Sequence, residues 1–221
     1  QYILGVLYRN GNGVVQDDVK AVAWYRRAAN QGYAPAQNNL GIAYDKGEGV
    51  PRDSAKAFDL FTRAASQGFA GGQYNLGVAY ENGEGVAPDR VRAAALYTQA
   101  ALQNDAQAQY NLGVLYLKGR GIGQDYAKAA ALFIKSAAQG HPRAQNNLGI
   151  AYGRGQGVPR DYAKAAAQFL RAAEHGYSRA QYNLGIIFFK GEGVPRDYLR
   201  SYMWFDLAAS RGGEGAVEAR A

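Results

Sequence analysis

Few residues in this chain have the type and spacing to do chemistry. His141 and His175 are the only histidines, and cysteine is absent. Neither histidine has a thiolate or a paired carboxylate at ligand spacing, so no metal site is expected. Aspartates recur at Asp53, Asp89, Asp125, Asp161 and Asp197, 36 residues apart. Acid/base work needs two carboxylates that perturb one another, whereas evenly repeated single aspartates suit one structural task done many times, capping a helix. The stretches "GEG", "GRG" and "GQG" are glycine-rich, but no Lys-Ser/Thr follows them as a phosphate loop requires. No nucleophile stands beside a base, so no catalytic residue is assigned, no cofactor is expected, and the chain reads as non-enzymatic. What remains is hydrogen-bonding chemistry. Asn39, Asn75, Asn111, Asn147 and Asn183 recur within otherwise helical text, where a poor helix former asks for a hydrogen-bonding role.

The elements that position these residues repeat. Leu-Gly pairs at 4–5, 40–41, 76–77, 112–113, 148–149 and 184–185 are spaced by 36 residues without insertion. A fixed period in this range marks an array of stacked units, so the chain is expected to be a single repeat array rather than two globular domains. The expected copies are 1–32 (truncated), 33–68, 69–104, 105–140, 141–176 and 177–212, with 213–221 the start of a C-terminal cap in which Arg220-Ala221 falls in the Leu-Gly register. Gln1 falls at the Gln37 position of the next copy, so the chain is expected to be cut from something longer.

One copy shows the logic. "PAQNNLGIAYDKG" (35–47) opens with a proline tolerated in a first helical turn and closes on a glycine stop, which predicts a helix, here called A. Gln37, Leu40, Gly41 and Tyr44 share one face of it, and Asn39 lies on another. "GEGVPRD" breaks the helix, and Asp53 is placed to cap the next one, "SAKAFDLFTRAAS" (54–66), helix B. Ala57, Leu60, Phe61, Ala64 and Ala65 form its apolar stripe, with Lys56 and Arg63 pointing away. Helix B stops at Gly68, and Asn104 at the equivalent place is the other residue that accepts a left-handed stop. The glycine within helix A costs about 1 kcal/mol, so Gly41, Ala57 and Ala64 are read as small partners of bulky Tyr44 and Phe61 in a close helix crossing. Tyr8, Tyr44, Tyr80, Tyr116 and Tyr152 are read as core. One such pair cannot bury enough surface alone, so stability comes from stacking.

Composition sets the outer bounds. Net charge is +7. Residues 1–110 hold 10 basic and 10 acidic side chains and residues 111–221 hold 15 and 8, so all the excess lies in the second half and favours anionic partners. Without cysteine the redox compartment stays open. No apolar run approaches the ~20 residues of a membrane span, so a soluble chain without membrane insertion is expected.

"AQYNLGVLY" (108–116), "KGEGVPRDY" (190–198) and "YAKAAAQFLRAAEHG" (162–176) resemble Sel-1-like repeats, relatives of tetratricopeptide repeats, and the match runs from Gln1 to about Gly212. The resemblance implies an all-α, right-handed solenoid of antiparallel helix pairs, helix A lining the concave side and helix B outside. It implies an adaptor or scaffold that holds proteins together, and, for bacterial members, an exported or periplasmic setting. Some cysteine-rich members are linked to penicillin binding, which gives a cell-wall hydrolase or penicillin-binding activity as one alternative. "SYMWFDLAAS" (201–210) resembles a closing copy.

Within such a groove the asparagine column has two readings. Either its amides bind the backbone of an extended peptide, as the resemblance to tetratricopeptide grooves implies, or they tie each copy to the next. Beside it, Tyr74, Tyr110 and Tyr182, with Tyr2, Asn38 and Asn146, and then Val6, Ile42, Val78, Val114, Ile150 and Ile186 give an aromatic and aliphatic floor. The rim passes from Asp45 and Glu81 to Lys118, Arg143, Arg154, Arg179 and Lys190, which suits an acidic peptide at the later copies. A solvated rim is the plainer alternative. Outside, Lys20, Lys56, Arg92, Lys128, Lys164 and Arg200 lie three residues after each aspartate and read as a solvated face. Helix B adds no aromatics there, so nucleic acid is not the expected partner, and an electrostatic binder of an anionic polymer is the alternative to peptide recognition.

Overall fold

A computed structural model describes residues 1–210; the expected cap at 213–221 lies outside the described residues. Among them are twelve α-helices and no strand. The A helices are α1 (Tyr2–Asn10), α3 (Ala34–Lys46), α5 (Ala70–Asn82), α7 (Ala106–Lys118), α9 (Pro142–Arg154) and α11 (Ser178–Lys190). The B helices are α2 (Asp18–Asn30), α4 (Ser54–Ser66), α6 (Arg90–Leu102), α8 (Tyr126–Ala138), α10 (Tyr162–Glu174) and α12 (Tyr198–Ser210). Helix B of the second copy spans the stretch expected, and its helix A starts one residue earlier, at Ala34, with Pro35 in the first turn.

Local chemistry accounts for these bounds. The Asp53 side chain accepts from the Lys56 backbone N–H, and Asp17, Asp89, Asp125 and Asp161 cap in the same way. That backbone N–H is the first cause holding the Asp17, Asp53, Asp125 and Asp161 carboxyls below the ordinary aspartate range. At the far end of helix B, Asn104 takes φ 67° where other copies have glycine, the one described non-glycine residue with positive φ.

By contact the chain falls into two compact units, Gln1–Ala108 and a second starting at Gln109. In the first, Ala21, Tyr25, Ala28 and Leu40 head one buried cluster, and Ala57, Phe61 and Leu76 form another. In the second, Ala129, Phe133 and Leu148 form one cluster, and Ala165, Phe169, Leu184 and Ile187 another. The Leu-Gly glycine is the seat for an aromatic ring of helix B in both. A Cβ at Gly5 would stand 2.6 Å from the Tyr25 ring, and one at Gly149 would stand 2.6 Å from the Phe169 ring. The helical cost of the glycine is offset by the ring it lets in, since a buried Phe contributes about 1.5–3 kcal/mol.

A further tie joins successive copies. Gly157 has φ 72°, and a Cβ there would fall on the Tyr126 backbone at the start of α8. Gly49, Gly85 and Gly193 abut Asp18, Ser54 and Tyr162 in the same way. Within each copy a glutamine near the end of helix B reaches a buried glutamine of helix A. Nε2 of Gln67 donates to Gln37 Oε1 at 2.7 Å, Gln103 to Gln73 at 2.8 Å, and Gln139 to Gln109 at 2.9 Å.

The tyrosines read as core are only half-buried: Tyr8, Tyr44, Tyr80, Tyr116 and Tyr152 pack on the core's edge. They stand opposite the first turn of helix B, and its third residue covers the ring with a cation. Lys20, Lys56, Arg92, Lys128 and Lys164 lie 5.3–5.6 Å from the five ring centroids. The same cations bridge their capping aspartates, Lys56 to Asp53 at 2.9 Å for example. The outer basic column is thus a set of locally paired charges.

Candidate functional site

The asparagine column points back along the array. Asn39 Nδ2 donates to the Tyr2 hydroxyl at 3.3 Å, Asn75 Nδ2 to Asn38 Oδ1 at 2.8 Å, and Asn183 Nδ2 to Asn146 Oδ1 at 2.9 Å. Asn147 Oδ1 accepts from Asn146 Nδ2 at 3.4 Å. One N–H of Asn39, Asn75 and Asn183 is therefore engaged one copy back, whether tyrosine or asparagine stands there. Asn111 is half-buried on α7.

The tyrosine column is half-buried and leans on the aromatic rings of helix B. Ring centroids lie 5.9 Å apart for Tyr74 and Tyr97, 6.1 Å for Tyr110 and Phe133, and 5.4 Å for Tyr182 and Phe205. His141 stacks on Tyr110 at 4.8 Å, and its Nδ1 accepts from the Ala144 backbone N–H at 3.2 Å. Burial pushes the Tyr110 hydroxyl above the ordinary tyrosine range.

The basic rim divides into two rows. Lys118, Arg154 and Lys190 close the last turns of α7, α9 and α11, whereas Arg143 and Arg179 lie in the first turns of α9 and α11. Eleven residues separate the rows, about 16 Å of helix. Of the early acids, Glu81 accepts from the Tyr97 hydroxyl at 2.8 Å and so faces inward.

Arg154 and Lys190 stand at two cavities of the second unit. One, of about 300 Å³, is lined by Leu117, Tyr126, Phe133, Asn147, Ile150 and Arg154. The other, of about 340 Å³, is lined by Gly153, Tyr162, Phe169, Asn183, Ile186 and Lys190. Each of these six residues stands 36 places after its counterpart in the first cavity. Both volumes sit at the small end of the ~300–1,000 Å³ usual for ligand sites. Arg154 and Lys190 are exposed and form no ion pair among the described residues.

The same place in the first unit is closed. The space bounded by Arg9, Asp18, Tyr25, Asn39 and Glu48 measures about 10 Å³. Arg9 Nη2 meets Glu48 Oε2 at 3.2 Å across it. Tyr25 also carries a hydroxyl, buried and pushed above the ordinary tyrosine range by that burial, where Phe133 and Phe169 have none. Leu117 and Gly153 occupy the Arg9 register, and Gln156 and Glu192 the Glu48 register, so the bridge cannot form in the second unit. Sequence reasoning found Asn147, Asn183, Arg154 and Lys190 but missed the aromatic floor of Tyr126, Phe133, Tyr162 and Phe169. The signal was the column Arg9, Asp45, Glu81, Leu117, Gly153, Phe189, which changes from charged to uncharged at the fourth copy.

An open cleft of about 830 Å³ lies elsewhere in the first unit, along the turns from B to A helices, beside Gln31, Tyr33, Gln67, Phe69 and Gln103. Among the described residues no group of histidine and carboxylate side chains could hold a metal ion, and no helix is long and apolar enough to cross a membrane.

The family model for the Sel1 repeat matches residues 1–33, 34–69, 70–105, 106–141, 142–177 and 178–213. The crystal structure of a Sel1 repeat protein from Oxalobacter formigenes is 32% identical with a TM-score of 0.87, over 99% of this chain and 84% of that one. A protective antigen present in uropathogenic Escherichia coli strains, displaying the SLR fold, is 37% identical with a TM-score of 0.86. This chain is covered to 99% but spans 46% of the length of that antigen. An immunity protein from Pseudomonas aeruginosa, Pa5087, shares the fold at 21% identity and a TM-score of 0.59, over 95% of this chain and 82% of that one. Among curated proteins no sequence matches.

Proposed function

The chain belongs to the Sel1 repeat family, and on that premise we propose that it is an adaptor that takes a protein or extended peptide along the face formed by its A helices. Sel1 repeats are helical scaffolds that generally mediate protein interactions and are generally non-enzymatic. The finer reading rests on one observation: Arg154 and Lys190, without ion partners, stand beside Asn147 and Asn183 at the mouths of two equivalent cavities. The other basic column is spent on Asp caps and tyrosine rings. An acidic segment would find its charge partners on the A-helix face of the second unit.

Capture of a partner by the immobilised chain, compared with Arg154→Glu/Lys190→Glu, tests this. Lost capture with a melting temperature within about 2 °C of the parent supports the A-helix face, because exposed single charges carry little stability. Undiminished capture places the site elsewhere. A second reading, electrostatic binding of an anionic polymer, draws on the 15 to 8 excess of basic over acidic residues in 111–221. It requires affinity that falls steeply and linearly with the logarithm of salt concentration. Groove recognition keeps most of its affinity through the same titration.

A further inference from the structure

We infer that the two cavities of the second unit are a matched pair of side-chain pockets that read two apolar residues, three apart, on an acidic peptide in extended polyproline II-like conformation. The inference rests on the A-helix face being the binding face, and it names the ligand and its spacing. Both floors are ring and aliphatic surface, Phe133 with Ile150 and Phe169 with Ile186, while the mouths carry unpaired cations. An apolar side chain inserted into each, flanked by carboxylates, satisfies both features.

The spacing follows from the stacking. The Asn183 to Asn146 hydrogen bond of 2.9 Å puts α9 and α11 in direct contact, and packed helices lie about 8–10 Å apart. Equivalent pockets are separated by one such step. A polyproline II chain advances about 3.1 Å per residue with three residues per turn, so residues i and i+3 face the same way about 9 Å apart. A β-strand returns to the same face every second residue, about 7 Å on, and falls short. Arg154 lines both cavities and so stands between the two bound side chains, where it pairs with a carboxylate of the intervening residues. Glu192 borders the second cavity and disfavours an acidic residue just beyond the second apolar one.

Short fluorescein-labelled peptides test the pair against the full chain by anisotropy. One carries two leucines three residues apart among aspartates and prolines, a second carries alanines in their place, and a third has the leucines adjacent. The first should bind at least about tenfold more tightly than either control, the amount expected from burying a leucine. The selective variant is Gly153→Phe, which fills the second pocket. A Cβ at Gly153 meets only the Ala165 Cβ, at 3.9 Å, and the same column already holds Leu117 and Phe189, so the fold tolerates it. It should weaken the spaced-leucine peptide about tenfold, leave the alanine peptide unchanged and not lower the melting temperature. Leu117→Arg/Gln156→Glu, which rebuilds the Arg9–Glu48 bridge over the first pocket, should act alike.

Equal binding of leucine and alanine peptides, no binding of any peptide at millimolar concentration, or indifference to Gly153→Phe overturns the pocket pair. If the peptides bind equally and both are lost with Arg154→Glu/Lys190→Glu, the pockets fall and the A-helix face stands. If capture of the natural partner is also indifferent to that charge reversal, the face falls too.

Discussion

In the first unit the space under Asn39 is shut to about 10 Å³, and in the second unit the same space under Asn147 and Asn183 opens to about 300 and 340 Å³. The helices, the caps and the glycine seat are the same in both. The closed space is crossed by an arginine bridging a glutamate and holds the Tyr25 hydroxyl, whereas leucine or glycine stands in the arginine's place, and phenylalanine in the tyrosine's, at the open ones. What all copies share holds the array together, and what differs between copies sets whether a cavity opens beside the asparagine.

The shared part is the larger energetic term. Gly149→Leu drives a side chain into the Phe169 ring that floors the open pocket, and Gly5→Leu does the same to Tyr25 in the closed one. Each should cost about 3 kcal/mol, a fall of about 6–12 °C in thermal melts. An unchanged melting temperature in either would break the seat argument for both units. A smaller, unequal loss is expected along the asparagine column. Asn183→Ala leaves Asn146 Oδ1 buried at 3% exposure without its donor, at a cost of about 1–2 kcal/mol. Asn39→Ala releases the half-buried Tyr2 hydroxyl, which water can reach, and should cost about half as much in denaturant titrations.

Opening the closed site is nearly neutral for stability. Arg9→Leu/Glu48→Gln removes two partly exposed bridges, Glu48 to Arg9 and to Lys46, each worth about 0.2–1 kcal/mol, yet should admit an environment-sensitive apolar dye to the first unit. Dye emission at the parent level would mean that the Tyr25 hydroxyl alone keeps the space filled. The smallest contrast is with pH. Asp17 and Asp53 in the first unit and Asp125 and Asp161 in the second are all held below the ordinary aspartate range by the same backbone N–H donors. Lowered folded values mean that their contribution is complete above about pH 4 and is lost as pH falls through those values. Hydrogen exchange should show both units weakening together below that pH, and protection lost in one unit alone would contradict the shared cap.

The fold was legible because its signals are local. Asp53 three residues before Lys56, Gly47 after Lys46, and Gly41 in step with Phe61 each state a cap, a stop or a seat within one copy, and repetition removes ambiguity. The site was legible only in part. Asn147, Asn183, Arg154 and Lys190 could be placed on the A-helix face from helical periodicity. Whether the space beside them is full depends on Leu117, Phe133 and Gln156, which come from three elements and two copies. The half-burial of Tyr44 was missed for a related reason, since the cover is Lys56, a charged residue that apolar patterning assigns to solvent.

The glycine that abuts the preceding copy at the A-to-B turn has one more consequence. Gly157 rests on the main chain at Tyr126, where α8 begins, so the loop that carries it has a fixed length: one residue more or fewer would lift it off that ledge. Small insertions are therefore penalised where Gly49, Gly85, Gly157 and Gly193 abut the copy before, and the protein can lengthen or shorten cheaply only by duplicating or deleting an entire module. The array grows like a ladder that accepts whole rungs.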